Sequence, residues 1–513
     1  MERSGVMIDV LHNQLLELAK DQKYNLGALR GDWGHTNGER YNILLVQFCR
    51  TVRELAKDCP VKYCNRSFYM FNGKIYEVVD VSVIEQAYQL LLEDLFIAPM
   101  LSRPGIRRDN FIDVIRQYNT LNPQPYIVAF ANGVVDFGLN KNPMVMPFSP
   151  EYHVTYYHPY DYDPKAKCDR WMNFINEVLP DRTSRLILQM FLGLGLTQRC
   201  SAYNAAEGKS AGKVELCLLL VGAGANGKSV IFDVACNLFG RERISKMDYA
   251  DLTADGDEGL RGRFPIRNAI FNWSSDSDPR KFGRKNTGIF KRIVSGEAVP
   301  MRELGKNVTE LSTLPYLIFN LNELPLSEDA TLGFIRRLQY ISFDVTIPKE
   351  KQDPNLASKI VREEMSGVFN WVFRGMLELK RRHYQFPPSK GGTRQLVLSL
   401  LESSPVVAWI RAYGLRAEPE AKGEQAVWMQ SGFLYESMKT FCEDNNVDEE
   451  MLPSTQKFGH RMRAGHFLKT RDRDGYKYKI YGACEEDLKE HIIVNNSDFG
   501  ENDEPESFIK DDD

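Results

Sequence analysis

Residues 214–239, VELCLLLVGAGANGKSVIFDVACNLF, constrain the fold more than any other part of the chain. The uninterrupted apolar run ELCLLLV predicts a strand that is buried on both faces, as in a parallel sheet. Glycines follow it, and SVIFDVACNLF then has the apolar spacing of an amphipathic helix. A glycine loop between a strand and a helix lets successive backbone N–H groups converge on an anion, and the helix dipole adds to their field. The segment therefore predicts an α/β fold with a phosphate cradle.

The spacing within this loop predicts the ligand. Its residues fit the pattern G-x-x-x-x-G-K-[ST], in which Lys228 contacts the β- and γ-phosphates and the Ser229 hydroxyl binds Mg²⁺. ATP and Mg²⁺ are therefore the predicted cofactors. The alternative is a glycine loop that binds nothing. The predicted nucleotide-binding residues are Gly222, Ala223, Gly224, Ala225, Asn226, Gly227, Lys228, Ser229 and Val230.

Three later segments carry groups that act on a bound nucleotide. In RNAIFNWSSDSD an apolar strand leads to Asp276, the predicted second Mg²⁺ ligand, with Asp278 as a second candidate for that position. STLPYLIFNLNELP leads to Asn322, whose amide suits the γ-phosphate or the attacking water; the alternative is a turn asparagine. GFIRRLQYISFDV carries Arg336 and Arg337, and a guanidinium stabilises charge on a phosphoryl group bound by a neighbouring subunit. Surface ion pairing is the alternative for both arginines.

The length of the chain predicts several domains, because 513 residues exceed what one hydrophobic core holds. A short alternating stretch, SFYMFNGKIYEVV, predicts a hairpin that turns at Asn72-Gly73, whereas FPPSKGGTRQ predicts a loop. The predicted segments are a mostly helical N-terminal α+β region (1–108), a second domain (109–200), the α/β core (201–348), a helical lid and linker (349–395), a C-terminal domain (396–484) and an acidic disordered tail (485–513).

Charge separates the last two segments. Residues 396–484 have the pattern of helices followed by a hairpin that turns at Asp474-Gly475, which is typical of a winged helix. The predicted DNA-binding residues there are Arg461, Arg463, Lys469, Arg471 and Arg473. The alternative is a solvated basic face or a docking site for the tail. Residues 485–513 contain twelve acidic residues and two lysines, which predicts a solvated end, a mimic of DNA or a docking tail.

Several motifs together resemble superfamily III helicases, in the branch of phage and plasmid primase-helicases that is related to the poxvirus primase-helicase. They are GAGANGKSV, NWSSDSD, FKRIVSGEAVPMREL, YLIFNLNELP and GFIRRLQYISFDV, preceded by AFANGVVDF, HPYDYDP and QMFLGLGLT. The resemblance covers roughly residues 110–380. It implies an AAA+-type ATPase core, and it implies that residues 109–200 form the collar domain that precedes this core.

The resemblance also implies a role for individual residues. Lys228 and Ser229 would bind ATP and Mg²⁺, Asp276 would be the Walker B acid, and Asn322 would be the sensor. Arg336 or Arg337 would be the arginine finger, and the spacing leaves both open. Between the acid and the sensor, a hairpin of the family grips single-stranded DNA; here that stretch contains Lys291, Arg292, Arg302, Lys306 and Asn307, with Lys306 at the expected tip. The aspartate at 276 departs from the glutamate that is common in relatives.

These features predict an ATP-dependent, ring-forming DNA helicase that replicates phage, plasmid or mobile-element DNA. Its expected partners are single-stranded or forked DNA, further copies in a hexamer or similar ring, and a separate primase, because residues 1–108 have no acidic cluster of a priming site. Singly scattered cysteines and the lack of an apolar segment of membrane-spanning length predict a cytoplasmic protein. The alternatives are an ATP-regulated replication initiator that assembles on DNA without unwinding it, and a metabolic P-loop kinase.

Overall fold

The computed structural model describes residues 2–24, 38–64, 66–95, 108–123, 127–137, 143–196, 214–275, 277–278, 282–283, 286–311, 313–323, 332–401, 404–420 and 423–494. The chain divides into two compact units, Met1–Tyr162 and Asp163–Asp513. The finer division into six segments stays a prediction. Among the described helices, none combines the length and the apolar character that a membrane crossing requires.

The first unit combines helices with two small sheets. Its helices are α1 (Glu2–Ala19), α2 (Gly38–Asp58), α3 (Val81–Asp94) and α4 (Arg108–Tyr118). An antiparallel sheet contains β1 (Lys62–Cys64), β2 (Ser67–Phe71) and β3 (Tyr76–Val79), and a second, in the order β6-β5-β4-β7, contains β4 (Ile127–Phe130), β5 (Gly133–Asp136), β6 (Val145–Met146) and β7 (Tyr157–His158). The helical N-terminal region and the predicted hairpin are confirmed. Asn72 N–H donates to the Ile75 carbonyl at 2.9 Å, and Gly73 has a φ of +95°, which glycine adopts without strain.

The second unit is organised around a five-stranded parallel sheet, as expected for a P-loop core. Its strands are β8 (Cys217–Val221), β9 (Ile244–Ser245), β10 (Phe271–Ser274), β13 (Tyr316–Leu321) and β14 (Leu338–Ser342), in the order β14-β8-β13-β10-β9. The predicted strand β8 is confirmed, since all five of its residues are buried. A separate antiparallel pair, β11 (Val299–Met301) and β12 (Thr309–Leu311), lies between β10 and β13 in sequence.

Helices surround this sheet in sequence order. They are α5 (Asp169–Val178), α6 (Arg182–Gly193), α7 (Lys228–Phe239), α8 (Tyr249–Thr253), α9 (Gly256–Gly262), α10 (Thr287–Val294), α11 (Leu332–Ile335), α12 (Leu356–Glu363) and α13 (Met365–Arg381). The predicted helix after the glycine loop is α7, which packs its apolar side chains inward because they recur at helical spacing. This strand, loop and helix arrangement places residues 222–227 at the carboxyl edge of the sheet.

The C-terminal part has helices and a three-stranded antiparallel sheet around one core. Its elements are α14 (Lys390–Leu400), α15 (Pro405–Ala412), β15 (Val427–Gln430), α16 (Ser431–Asp444), α17 (Thr455–Ala464), β16 (Lys469–Asp472) and β17 (Gly475–Ile480). The sheet has the order β15-β17-β16. The predicted hairpin is present, since Asp472 pairs with Gly475 across the turn.

Two sequence interpretations differ from the structure here. The second half of the predicted loop FPPSKGGTRQ is the start of α14, because the Ser389 hydroxyl accepts the Gly392 N–H at 3.0 Å and caps the helix. A Cβ on Gly392 would lie 2.6 Å from the Tyr340 carbonyl, so close packing on β14 explains the glycine. Residues 485–494, predicted to open the solvated tail, instead place Leu488 and Val494 in the C-terminal core, because apolar residues recur among the acids.

Candidate functional site

The glycine loop is braced by the ends of neighbouring strands. Gly222 N–H donates to the Leu321 carbonyl of β13 at 3.1 Å, and Ile347 N–H donates to the Ala225 carbonyl at 2.9 Å. Ala225 and Gly227 have φ values of +62° and +85°, so the chain curls in the left-handed region at both positions. Side chains crowd the loop as well, since a Cβ on Gly227 would lie 2.8 Å from the Phe174 ring. The loop is therefore held in a curved path that any larger residue at 227 would disturb.

Lys228 is folded back onto this loop. Its Nζ donates to the Gly222 carbonyl at 2.5 Å and to Asn226 Oδ1 at 3.1 Å. The side chain is buried, and this burial lowers the pKa of Lys228 to about 8. Ser229, the next residue, is exposed. Of the predicted nucleotide-binding residues, Asn226 and Lys228 are thus buried within the loop, while the Ser229 side chain is accessible to a ligand.

The predicted sensor lies beside this loop. Register in the sheet pairs Leu321 of β13 with Val221 of β8, so Asn322 and Gly222 follow paired residues at the same carboxyl edge. Asn322 is exposed there. Because the strands are parallel, their carboxyl ends meet at one edge, and this edge brings together the cradle and the sensor position.

The predicted acid, Asp276, lies outside the described residues. Its neighbours place the chain at the same edge, since Ser277 N–H donates to the Asn320 carbonyl of β13 at 3.1 Å. The Ser277 side chain is buried, and the second candidate, Asp278, is half-buried. The predicted Mg²⁺ ligand set therefore has one described member, the Ser229 hydroxyl.

A buried side-chain bond connects the strands of the acid and the sensor. Trp273 Nε1 donates to Asn320 Oδ1 at 2.9 Å, and both side chains are buried between β10 and β13. An amide in the middle of an apolar strand was the only signal in the sequence, and sequence reasoning missed it. The bond fixes the relative position of two neighbouring strands just before their functional ends, because a buried polar pair is costly to separate.

The two predicted finger arginines lie at the opposite edge of the sheet. Cys217 N–H donates to the Arg337 carbonyl at 2.7 Å, which places Arg337 where β8 and β14 begin. A strand of this length spans roughly 15 Å, so the arginines and the cradle of one chain are separated by the whole sheet. The structure therefore brings the sensor to the cradle and does not bring the arginines to it.

The two arginines differ in their surroundings. Arg337 is 8% exposed; its Nη2 donates to Ser295 Oγ at 2.8 Å and pairs with Glu215 at 3.2 Å, and its Nη1 donates to the Gly333 carbonyl. Arg336 has a side chain that is 63% exposed and meets Glu215 only at 3.6 Å. Sequence reasoning missed Glu215, because it precedes the glycine loop and is more than a hundred residues away from both arginines.

The stretch predicted to grip DNA forms the hairpin of β11 and β12. Lys306 lies in its turn next to Gly305, which has a φ of +75°, and Leu304 is 80% exposed. Lys306 Nζ pairs with Glu303 at 2.7 Å, and Asn307 is exposed. Lys291 and Arg292 belong instead to α10, away from the turn.

The base of this hairpin is fastened to α9. Arg302 Nη1 pairs with Asp257 at 2.6 Å, which lowers the pKa of that carboxyl, and Arg302 N–H donates to the Leu260 carbonyl. The buried guanidinium of Arg263 donates through Nε to the Pro300 carbonyl at 2.9 Å. Arg302 is therefore a hairpin anchor, whereas the turn residues around Lys306 are presented to solvent.

The C-terminal part carries a basic face on α17 and on the hairpin of β16 and β17. Its members are all exposed, and we define the basic face as Lys457, Arg461, Arg463, Lys469, Arg471 and Arg473. Tyr478 joins the two elements, since its hydroxyl lies 3.4 Å from a Cβ built on Gly459 of α17 and the Lys469 Nζ lies 5.6 Å from its ring centre. Lys469 Nζ also lies 3.6 Å above the Tyr476 ring.

Two stretches of the chain match known family models. Residues 103–180 match the family described as D5 N terminal like. The chain carries a D5 N-terminal-like domain. This match confirms the predicted resemblance to the primase-helicases related to the poxvirus protein. In this D5-like chain, residues 220–337 also match "Family of unknown function (DUF5906)", and they include the glycine loop, the sensor position and both arginines.

Solved structures of the NrS-1 C-terminal region are also similar to the D5-like chain. Its A-form apo structure has a TM-score of 0.42 and 11% identity, and the alignment covers 84% of this chain and 99% of that chain. A second apo structure, of residues 305–718, has a TM-score of 0.38 and 11% identity, covering 84% and 98%. At this distance the likeness adds no argument for a function. None of the curated proteins matches the chain.

Proposed function

We propose that this D5-like chain is an ATP-dependent, ring-forming DNA helicase for the replication of phage, plasmid or other mobile-element DNA. One observation carries the proposal. The cradle and Asn322 lie at one edge of the parallel sheet, while Arg336 and Arg337 lie at the other. A nucleotide in the cradle can receive an arginine only from another copy, so the site becomes complete in a ring.

The proposed roles at the carboxyl edge follow from the chemistry of each group. Lys228 would leave its carbonyl partners and bind the β- and γ-phosphates, since charge-assisted bonds to phosphate are stronger than bonds to neutral oxygens. Ser229 and Asp276 would hold Mg²⁺, because hydroxyl and carboxylate oxygens suit this ion. Asn322 would orient the attacking water. Mg²⁺ would supply charge neutralisation on the phosphates.

Of the two arginines, Arg336 is the proposed finger. Its side chain is mostly exposed and has one long ion pair, so it can turn toward a neighbouring copy at little cost. Arg337 would first have to leave Ser295, Gly333 and Glu215, and a buried guanidinium without partners is unfavourable. Arg337 therefore positions the segment from which Arg336 projects.

DNA would be contacted at two places. The hairpin turn, with Lys306 and Asn307, would grip single-stranded DNA in the ring channel, and the exposed turn with its anchored base supports this assignment. The C-terminal segment would be a winged helix that binds phosphates through Arg461, Arg463, Lys469, Arg471 and Arg473. Its order of helices, strand, helices and hairpin supports this second assignment.

The domain organisation is proposed along the same lines. The sheet order, which is 5-1-4-3-2 when its strands are numbered along the chain, supports an AAA+-type core at 201–348. The collar would be 109–200, the lid and linker 349–395, and the winged helix 396–484. Residues 1–108 would lack priming activity, so a separate primase would supply primers.

Hydrolysis as a function of protein concentration tests the ring. ATPase activity per chain should rise with concentration and with added single-stranded DNA, because each site needs a neighbour. The decisive measurement mixes Lys228→Ala chains with Arg336→Ala chains. Each inactive parent can donate what the other lacks, so mixed assemblies should recover activity, and an absence of recovery at every ratio would exclude a shared site.

A replication initiator that uses ATP only to assemble on DNA is the second candidate. The basic face supports it equally, since phosphate binding there requires no translocation. A forked duplex separates the two functions: the helicase should release a labelled strand with ATP, whereas the initiator should bind the fork and leave it intact. A metabolic kinase would instead transfer phosphate to a small acceptor and ignore DNA.

A further inference from the structure

The basic face differs from most charged surfaces of the described chain in its lack of carboxylate partners. Across the described residues, none of its six members lies within ion-pair distance of a carboxylate, whereas the neighbouring Lys477 pairs with Asp472 at 2.6 Å. Six exposed and uncompensated cations on one face repel one another. The face is therefore suited to an extended anion.

An acidic segment is tethered to the same unit. Val494 is fully buried, its N–H donates to Asn445 Oδ1 at 2.7 Å, and Arg394 Nε donates to its carbonyl at 2.9 Å. The acidic residues that follow this anchor are Asp498, Glu501, Asp503, Glu504, Glu506, Asp511, Asp512 and Asp513, with Lys510 as the one basic residue. The segment 495–513 lies outside the described residues.

The anchor brings this segment within reach of the basic face. An extended chain spans about 3.4 Å per residue, so residues 495–513 reach roughly 60 Å from Val494, which exceeds the size of a domain of ordinary length. Tethering also gives the segment an effective concentration on the order of millimolar at the face. Opposite charge, a shared unit and sufficient reach together define the occupant.

We propose that residues 495–513 bind the basic face and compete with DNA for it. The segment supplies carboxylates at intervals along an extended chain, as DNA supplies phosphates. The unit thereby holds its own competitor, which DNA displaces when enough phosphates bind at once. This inference rests on the proposed function only in the identity of the displaced ligand.

A pair of matched variants tests the competition in the full-length protein. One variant changes Asp511, Asp512 and Asp513 to Asn. The control removes the same charge from an exposed turn of the same unit through Asp448→Asn, Glu449→Gln and Glu450→Gln. The probe is a fluorescent duplex oligonucleotide of about 20 base pairs at low salt. We expect about tenfold tighter binding for the first variant and less than twofold for the control, with the difference disappearing at high salt.

Carbodiimide cross-linking tests the contact itself without DNA. It joins a lysine amine to a nearby carboxylate, and the basic face offers Lys457 and Lys469. We expect cross-linked peptides between these lysines and residues 495–513, and their loss when excess oligonucleotide is added. Equal affinity changes in the two variants, or an absence of these cross-links, would overturn the proposal. If cross-links form but no oligonucleotide binds, the DNA-binding part of the proposed function fails and the tail contact stands.

Discussion

The two edges of the parallel sheet have opposite characters. At the carboxyl edge, short backbone contacts hold a glycine loop around the buried Lys228, and Asn322 lies next to it. At the amino edge, Arg337 is enclosed by Ser295 and Glu215, while Arg336 extends into solvent. One edge is organised to receive an anion and the other to offer a cation. The comparison teaches that a single chain carries both halves of a site that it cannot assemble alone.

The first test removes the receiving half. Lys228→Ala should lower the ATPase rate by roughly ten-thousandfold, because the charge on the β- and γ-phosphates is lost both in binding and in the transition state. Steady-state hydrolysis at saturating Mg²⁺ measures it. The exposed Lys439→Ala on α16 serves as control and should behave as the parent protein. A Lys228→Ala protein with the parent rate would remove the cradle from the mechanism.

The second test removes the offering half. Arg336→Ala should lower the maximal ATPase rate by about a thousandfold while the affinity for ATP changes little, since the guanidinium acts on transition-state charge. Rate and affinity are measured separately, by hydrolysis and by titration with a fluorescent ATP analogue. A loss of affinity with an unchanged maximal rate would contradict a role in the transition state.

The third test separates the two arginines. Arg337→Ala should lower the free energy of unfolding by about 3 kcal/mol, because Glu215 and the Ser295 hydroxyl lose a buried partner. Arg336→Ala should change stability by less than about 0.5 kcal/mol, as is usual for an exposed pair. Chemical denaturation of both variants measures the difference. Equal destabilisation would show that the two side chains are interchangeable.

The smallest expected effect is a pH dependence at the carboxyl edge. Burial lowers the pKa of Lys228 to about 8 in the free protein, and bound phosphates would raise it. Binding must therefore take up a proton above pH 8, so ATP affinity is constant below that pH and falls as the pH rises through it. Between pH 7 and pH 9 we expect about a tenfold loss, measured with a non-hydrolysable analogue. A flat profile would mean that Lys228 stays charged when buried.

Local patterns in the sequence predicted much of the fold. The apolar run of β8, the glycine loop and the spacing of α7 each depend on neighbouring residues, so the strand, the loop and the helix were predictable. The hairpins at Asn72-Gly73 and Asp474-Gly475 were predictable for the same reason. These features need no knowledge of what they pack against.

Contacts between distant residues were not predictable. The start of α14 was interpreted as a loop because its two glycines disfavour a helix, whereas the Ser389 cap and packing on Tyr340 outweigh that tendency. The short strand β15 was missed because its ladder depends on pairing with β17. The choice between Arg336 and Arg337 depends on Glu215 and Ser295, which no spacing rule connects to them.

Ile335, the residue directly before Arg336, is inserted among Val397, Leu400 and other side chains of the C-terminal core, while its neighbour Phe334 packs in the core of the sheet. The short helix α11 is thus a joint with one foot in each core. Interiors packed at crystal-like density do not stretch, so a pull on the guanidinium by an adjoining copy would have to shift both cores together. Nucleotide turnover in one protomer would in that way be felt mechanically at the surface where the next one holds its DNA.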